Sequence, residues 1–342
     1  MHIPVIAVIV GGIVVAGTGI AFWQHNQADS VTNAANKWIA TLDATQRALA
    51  LRPFQDEIRT DWHFIPKDNR KGVQLRDMTQ SQKDAAFNVL QSVVSSVGYT
   101  KATEIMRLEE ILRRLEGKKA RNVRDDQRYY FTLFGIPDAV GSWGISIEGH
   151  HLSLNVTIRD NQVVDSTPQF LGANPATVHT SSGGLPPLGH QVLRDEESLA
   201  FQLVQSLSDV QQDQAVIATE APQEIRAAGE PQPGNEPMAG IAYSELSPKQ
   251  QALLRRLIET YCKVMPDVVA KARLRACEPW HEVRFAWAGS LVPGVGHGYR
   301  VEGTNFVIEF VNVQPDPEGN PANHIHCVWR DKTGDFDLPN EG

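Results

Sequence analysis

The chain has 342 residues, with 40 acidic against 32 basic side chains and a net charge of −8. That length accommodates two ordinary domains, and the negative balance argues against nucleic acid as a partner, because neutralising phosphates needs a basic face. Three cysteines, Cys262, Cys277 and Cys327, make no disulfide framework.

In chain order, the first feature is PVIAVIVGGIVVAGTGIAFW, an uncharged run from Pro4 to Trp23. Its 20 residues suffice to cross roughly 30 Å of hydrocarbon as a helix. It reads as an N-terminal transmembrane helix rather than a cleaved signal, because it is long for an export signal and Trp23 suits a membrane interface. The remainder of the chain is then expected on the periplasmic or extracellular side. Residues 1–30 form this anchor segment, 31–177 a first lobe, 178–193 a linker and 194–342 a second lobe.

Helical spacing predicts helices over Thr79 to Val97 and Thr100 to Leu115, separated near Gly98. The period then changes to two, giving strands over Tyr129 to Phe134, Ser146 to Arg159 and Gln162 to Phe170. The second lobe repeats the plan. Ser247 and Pro248 open a helix through QQALLRRLIETYC, Asp267 to Ala276 forms another, and strands follow at Val283 to Ala288, Tyr299 to Val313 and His324 to Arg330. Short Gly and Pro connections imply antiparallel pairing, so the fold class is α+β. The two cysteines that end the second-lobe helices lie apart in an antiparallel hairpin and are not expected to bridge.

The two lobes match residue by residue. Phe131, Gly135, Gly144, Glu148 and Gly149 recur as Phe285, Gly289, Gly298, Glu302 and Gly303, each 154 positions later (285 less 131). Gly72 to Gln82 answers Gly240 to Gln250 at 168 positions, and Leu42 to Gln46 resembles Leu207 to Gln211 at 165. A constant offset through loops as well as strands points to internal duplication.

Histidine gathers at EGHHLSLN (Glu148 to Asn155) and NHIHCVWRD (Asn323 to Asp331). In the first, the apolar positions switch parity across His150 and His151, which implies a β-bulge at Gly149 to His151. In the second, His324, His326 and Arg330 share one face of a strand while Cys327 points into the core. Two imidazoles at i and i+2 can ligate one ion, and imidazole suits zinc and copper. His150 and His151 are the candidates to complete a divalent metal site with His324 and His326. Glu148 would act as base for a metal-bound water, and Arg330 would stabilise an anionic substrate or intermediate. His63, in TDWHFIP, is a weaker candidate to enter from a loop. The repeat aligns His150 and His151 with Thr304 and Asn305, so the histidines are not shared between lobes and suit one composite site. Metal-assisted hydrolysis of an unknown small-molecule or polymer substrate is the leading expectation. A copper-dependent oxidoreductase and a non-catalytic small-ligand or metal-binding protein are the alternatives. No P-loop, GxSxG elbow, HExxH or CxxC is present.

At DWHFIP, LRDMT, EGHHLSLN, STPQFLGANPA, LLRRLIETY, FAWAGS and NHIHCVWRD the chain resembles the DUF3500 family, a bacterial family of unknown function. The resemblance covers nearly all of the chain after the anchor. It implies an exported protein and brings neither an activity nor catalytic residues. Where that family would have Ser or Thr, this sequence has Cys327, which speaks against a thiol role there.

Overall fold

The computed structural model describes residues 31–180 and 186–340, and the apolar run from Pro4 to Trp23 lies outside them. Among the described residues no helix is long and apolar enough to cross a membrane. The strands are β1 (Leu51–Arg52), β2 (Val73–Gln74), β3 (Tyr130–Phe134), β4 (Ser142–Gly149), β5 (Leu152–Arg159), β6 (Gln162–Asp165) and β7 (Gln169–Ala173) before the connection at 178–193. After it come β8 (Val216–Ala218), β9 (Ile241–Ala242), β10 (Arg284–Gly289), β11 (His297–Glu302), β12 (Phe306–Asn312) and β13 (Ile325–Asp331). Among the described residues eight α-helices accompany them: α1 (31–41), α2 (Ala44–Ala50), α3 (Gln80–Val93), α4 (Ser96–Glu116), α5 (Arg194–Gln205), α6 (Asp209–Ala215), α7 (Pro248–Cys262) and α8 (Asp267–Ala276). The α+β class expected from the sequence is what the chain adopts.

All thirteen strands belong to one mixed sheet, whose main path runs β1-β3-β4-β5-β7-β13-β12-β11-β10-β8. Residues 31–177 and 194–340 therefore share one sheet, joined where β7 and β13 pair antiparallel with Cys327 opposite Leu171. Read from either edge the order is the same: a short parallel strand, then a run of antiparallel neighbours. Phe131 pairs with Ile147 as Phe285 pairs with Val301, and Ile147 pairs with Leu154 as Val301 pairs with Ile308.

Alternation assigns the two faces of the sheet. Trp143, Ile145, Ile147, Leu152, Leu154, Leu171, Cys327 and Trp329 join the buried residues of the helices in the main core. The opposite face carries a smaller cluster of Trp62, Phe64, Phe170, Ile225, Val311, Val328 and Phe336, supplied partly by the loops after β1 and β8. Burial of this many large side chains at roughly 1.5–3 kcal/mol each is the dominant favourable term.

The blocks shared between lobes have a local reason. Asp43 with Gln46 and Thr79 with Gln82 form capping boxes, and Gln46 and Gln82 bond to each other. Ser208 with Gln211 and Ser247 with Gln250 repeat the arrangement, again with the two glutamines bonded. Gly72 and Gly240 take φ +93° and +91°, and a Cβ there would strike the Phe131 and Phe285 carbonyls respectively. Only glycine meets both demands.

Four expectations are corrected. The segment Ser146 to Arg159 is not one bulged strand: Gly149 pairs with Leu152, so His150 and His151 are the central residues of a two-residue hairpin turn. A hairpin changes apolar parity just as a bulge does, because paired residues face the same side. Tyr299 to Val313 likewise divides into β11 and β12, and Gln162 to Phe170 into β6 and β7. The first helix pair breaks at Val94–Ser95 rather than at Gly98, because the Ser95 side chain caps the Gly98 amide. Gly98 is instead where the helix passes so close to the Val264 carbonyl that a Cβ would clash. All three cysteines are buried and free.

Candidate metal centre

The order β5, β7, β13 brings the two histidine segments together. In the ladder Leu171 lies between Leu152 and Cys327, which sets His151, Gly172 and His326 side by side at one end of the sheet. The His151 amide donates to the Phe64 carbonyl at 2.9 Å, and the His151 carbonyl accepts from Gly172 at 2.8 Å. Gly172 leaves space for the ring: a Cβ there would lie 3.0 Å from His151 Cδ2. His151 holds φ +64°, a left-handed conformation that costs free energy for a residue with a Cβ.

His151, His324 and His326 form a cluster whose candidate ligand nitrogens all lie within 4.8 Å of one another. His151 Nε2 is 2.8 Å from His324 Nε2. The ring centroids are 4.7 Å apart for His151 and His324, 5.2 Å for His151 and His326, and 4.7 Å for His324 and His326. His151 and His326 are buried, while His324 is partly exposed. Burial pushes the His151 and His324 imidazoles well below the usual histidine range, and the neighbouring histidines push the same way. Both are thus neutral near pH 7, the form that binds metal.

Two of the three rings, those of His326 and His324, have a partner on the outer nitrogen. Glu224 holds His326 Nδ1 at 2.8 and 2.9 Å from its two carboxylate oxygens. This leaves His326 Nε2 buried without a hydrogen-bond partner. Asn174 Nδ2 lies 3.3 Å from His324 Nδ1, and its own Oδ1 is buried and unpartnered. A half-turn of that amide would put Oδ1 on an Nδ1–H donor and leave the lone pair on Nε2. The His324 amide donates to Asn312 Oδ1 at 2.9 Å. A histidine oriented by a carboxylate or amide on one nitrogen and free on the other is the usual form of a metal-binding imidazole. Tetrahedral zinc with bonds of about 2.0–2.1 Å sets ligand nitrogens roughly 3.3 Å apart. The cluster spans that spacing and would need only small ring movements to meet it.

The other sequence candidates are engaged by groups outside the cluster. The His150 ring stacks on His151 at 3.7 Å, but its Nδ1 engages buried Glu109 and lies 3.2 Å from Arg124, while its carbonyl accepts from the Tyr129 hydroxyl. Burial lowers the His150 pKa and Glu109 opposes that shift. The Glu148 carboxylate is held by Lys71 at 2.7 Å, by the Ser146 hydroxyl at 3.0 Å and by Arg70 at 3.5 Å. Arg330 pairs with Asp335, donates to the Ala227 and Glu230 carbonyls, and lies over the Trp62 ring. His63 faces Gly229, and its neighbour Phe64 reaches the site instead, edge-on to His326 at 4.9 Å. Cys327 is in the core, bonded to the Leu171 carbonyl, with its thiol pKa raised by burial.

Glu224, Asn174, Gly172 and Phe64 were not singled out from the sequence as site residues. Asn174 and Gly172 lie in STPQFLGANPA, one of the segments that carry the family resemblance, whereas Glu224 falls in a loop that offers no local signal. Fold and site together describe an α+β protein with three histidines converging at one end of a mixed sheet. The chain belongs to the family described as "Protein of unknown function (DUF3500)", whose family model matches residues 24–338. Neither a curated protein nor a solved structure matches it.

Proposed function

We propose that this is a metal-binding protein in which His151, His324 and His326 hold one divalent transition-metal ion, and that the site serves metal-assisted hydrolysis. The observation that carries the reading is the convergence of three imidazoles, of which two are held neutral and the third has a buried nitrogen with no partner. Among the described residues the cluster offers three ligands, the number found in catalytic rather than structural zinc sites. A bound zinc ion supplies a Lewis acid and lowers the pKa of a coordinated water to about 7. The chain's own residues orient and enclose: Glu224 and Asn174 fix two rings, Phe64 and Phe170 wall off His326, and His324 gives the site its access to solvent. In this reading Glu148 and Arg330 hold the face of the sheet opposite the main core, since neighbouring side chains and, for Arg330, the Ala227 and Glu230 carbonyls occupy their polar atoms.

Copper is the second reading, because the donors are imidazoles alone, a set that suits copper as well as zinc. The test is elemental analysis of full-length protein purified without added metal or a histidine tag. About one zinc or copper per chain is expected, falling to background in His151→Asn and His326→Ala. Unchanged metal content in folded variants overturns the assignment, and visible absorption of a copper form separates the two metals.

We also propose that the two lobes arose by duplication, which the shared glutamine networks and the symmetric strand order support, and that residues 4–23 anchor the chain in a membrane with the folded part outside the cytoplasm. The length and lack of charge of that segment support the anchor.

A further inference from the structure

Resting on that anchor reading, we infer that the end of the sheet carrying the β3–β4 loop lies against the lipid bilayer and that Ile136 and Val140 sit in its interface. Only seven residues, Gln24 to Ser30, separate Trp23 from Val31, the first of the described residues. Fully extended, they span at most about 25 Å. Val31 is itself fully buried, so the described fold is held from its first residue.

Hydrogen bonds fix where the chain enters. Thr32 bonds to Asn161 at 3.2 Å, and Asn36 donates to the Pro137 carbonyl at 3.1 Å. Asn161 is in the β5–β6 turn and Pro137 in the β3–β4 loop. The two are tied together through Gly141 and Asp160, which exchange bonds of 2.9 and 3.0 Å. Ile136 and Val140 are on that loop at 81% and 78% exposure, the two most exposed large apolar side chains among the described residues. Apolar side chains on a braced loop next to a short membrane tether have a natural solvent in the interface. Asp138 and Asp160 are also on this end, so its partner is a zwitterionic bilayer and anionic lipid adds nothing.

The ladder gives the consequence. Strand directions alternate from β3 to β10, so the β4–β5 turn with His150 and His151, and the start of β13 with His324, are at the other end of the sheet. One strand length of eight residues, roughly 26 Å, separates them from the β3–β4 loop. The histidine cluster therefore faces away from the membrane. The β10–β11 loop, with Val292 and Val295, is at that far end too and serves as a control.

The test uses the full chain in phosphatidylcholine vesicles, with an environment-sensitive fluorophore on Ile136→Cys, on Val140→Cys or on Val292→Cys; the three native thiols are buried. Labels at 136 and 140 are expected to shift to the blue and to be quenched several-fold more strongly by nitroxide lipids than the label at 292. Water-like emission from both loop positions, in a chain that pellets with the vesicles and retains residues 1–23 by mass spectrometry, overturns the inference. A chain that stays in the supernatant, or has lost those residues, overturns the anchor reading and this inference with it.

Discussion

Two hairpin turns occupy equivalent places in the sheet, and they carry different side chains. Gly149, His150, His151 and Leu152 close β4 and β5; Gly303, Thr304, Asn305 and Phe306 close β11 and β12, each 154 positions later. The buried carboxylate just before each turn is the same residue type, yet its partners come from different places. Glu148 meets Lys71 and Arg70 from the loop ahead of β2, whereas Glu302 meets Arg300 on its own strand at 2.6 Å and Arg226 at 3.3 Å. That the same carboxylate is neutralised by unrelated cations in the two places supports a scaffold role for it. Of the turn histidines, present once, His151 enters the proposed metal site and His150 turns to Glu109.

That contrast can be broken by removing the acids. Glu148→Gln leaves Lys71 and Arg70 buried without a counter-charge, and uncompensated buried charges of this kind cost about 3 kcal/mol or more. Glu302→Gln should cost less, about 2 kcal/mol, because Arg226 keeps Glu309 and Glu236. Urea unfolding measures both. Metal content per folded chain should be unchanged in either variant, and its loss in Glu148→Gln alone would return Glu148 to the chemistry.

Glu224→Gln sharpens the same comparison from the other side. The carboxylate that orients His326 is partly exposed and carries no other structural load evident from its bonds beyond the Ile225 amide at 2.8 Å. Its loss should weaken metal binding by about 10- to 100-fold, read by competition with a chelating dye, while the unfolding midpoint moves little. A variant that unfolds readily but binds normally would make Glu224 a structural residue.

The scaffold was legible because its determinants are local. Apolar alternation, capping boxes and glycines at positive φ act over a few residues, so the strand and helix segments and the α+β class could be read directly. Strands of two or three residues, such as β1, β2 and β8, carry no period to detect. The parity switch at His150 and His151 was real, but a bulge and a hairpin turn produce the same pattern, and only the pairing of Gly149 with Leu152 separates them. The site was half legible for the opposite reason. His324 and His326 share a strand face and could be paired by spacing alone, whereas the residues that orient them, Asn174 and Glu224, are 150 and 102 positions away. Nothing local joins a loop glutamate to a strand histidine.

The corners leading into β7 and β13 differ in charge state as the turns differ in chemistry. Asp316, ahead of β13, is buried, which raises its pKa, but hydrogen bonds from Asn320, Asn323 and the backbone outweigh this and hold it below the ordinary value. Asp165, ahead of β7, goes the other way: burial first, then the Asp335 charge, push it from 3.8 to about 7. The folded chain therefore holds a proton on Asp165 that the unfolded chain releases. Its contribution to stability is fully present below about pH 4 and is lost as pH rises through about 7. Asp165 is partly solvent-exposed, so the slope should fall short of the roughly 1.4 kcal/mol per pH unit of a fully shifted group. Asp165→Asn should flatten the decline of stability between pH 5 and 7, followed by urea unfolding across that range. Asp316→Asn should instead remove a contribution that is present above pH 4 and lost in acid. If the two variants change the pH profile in the same sense, the opposition between the corners is wrong.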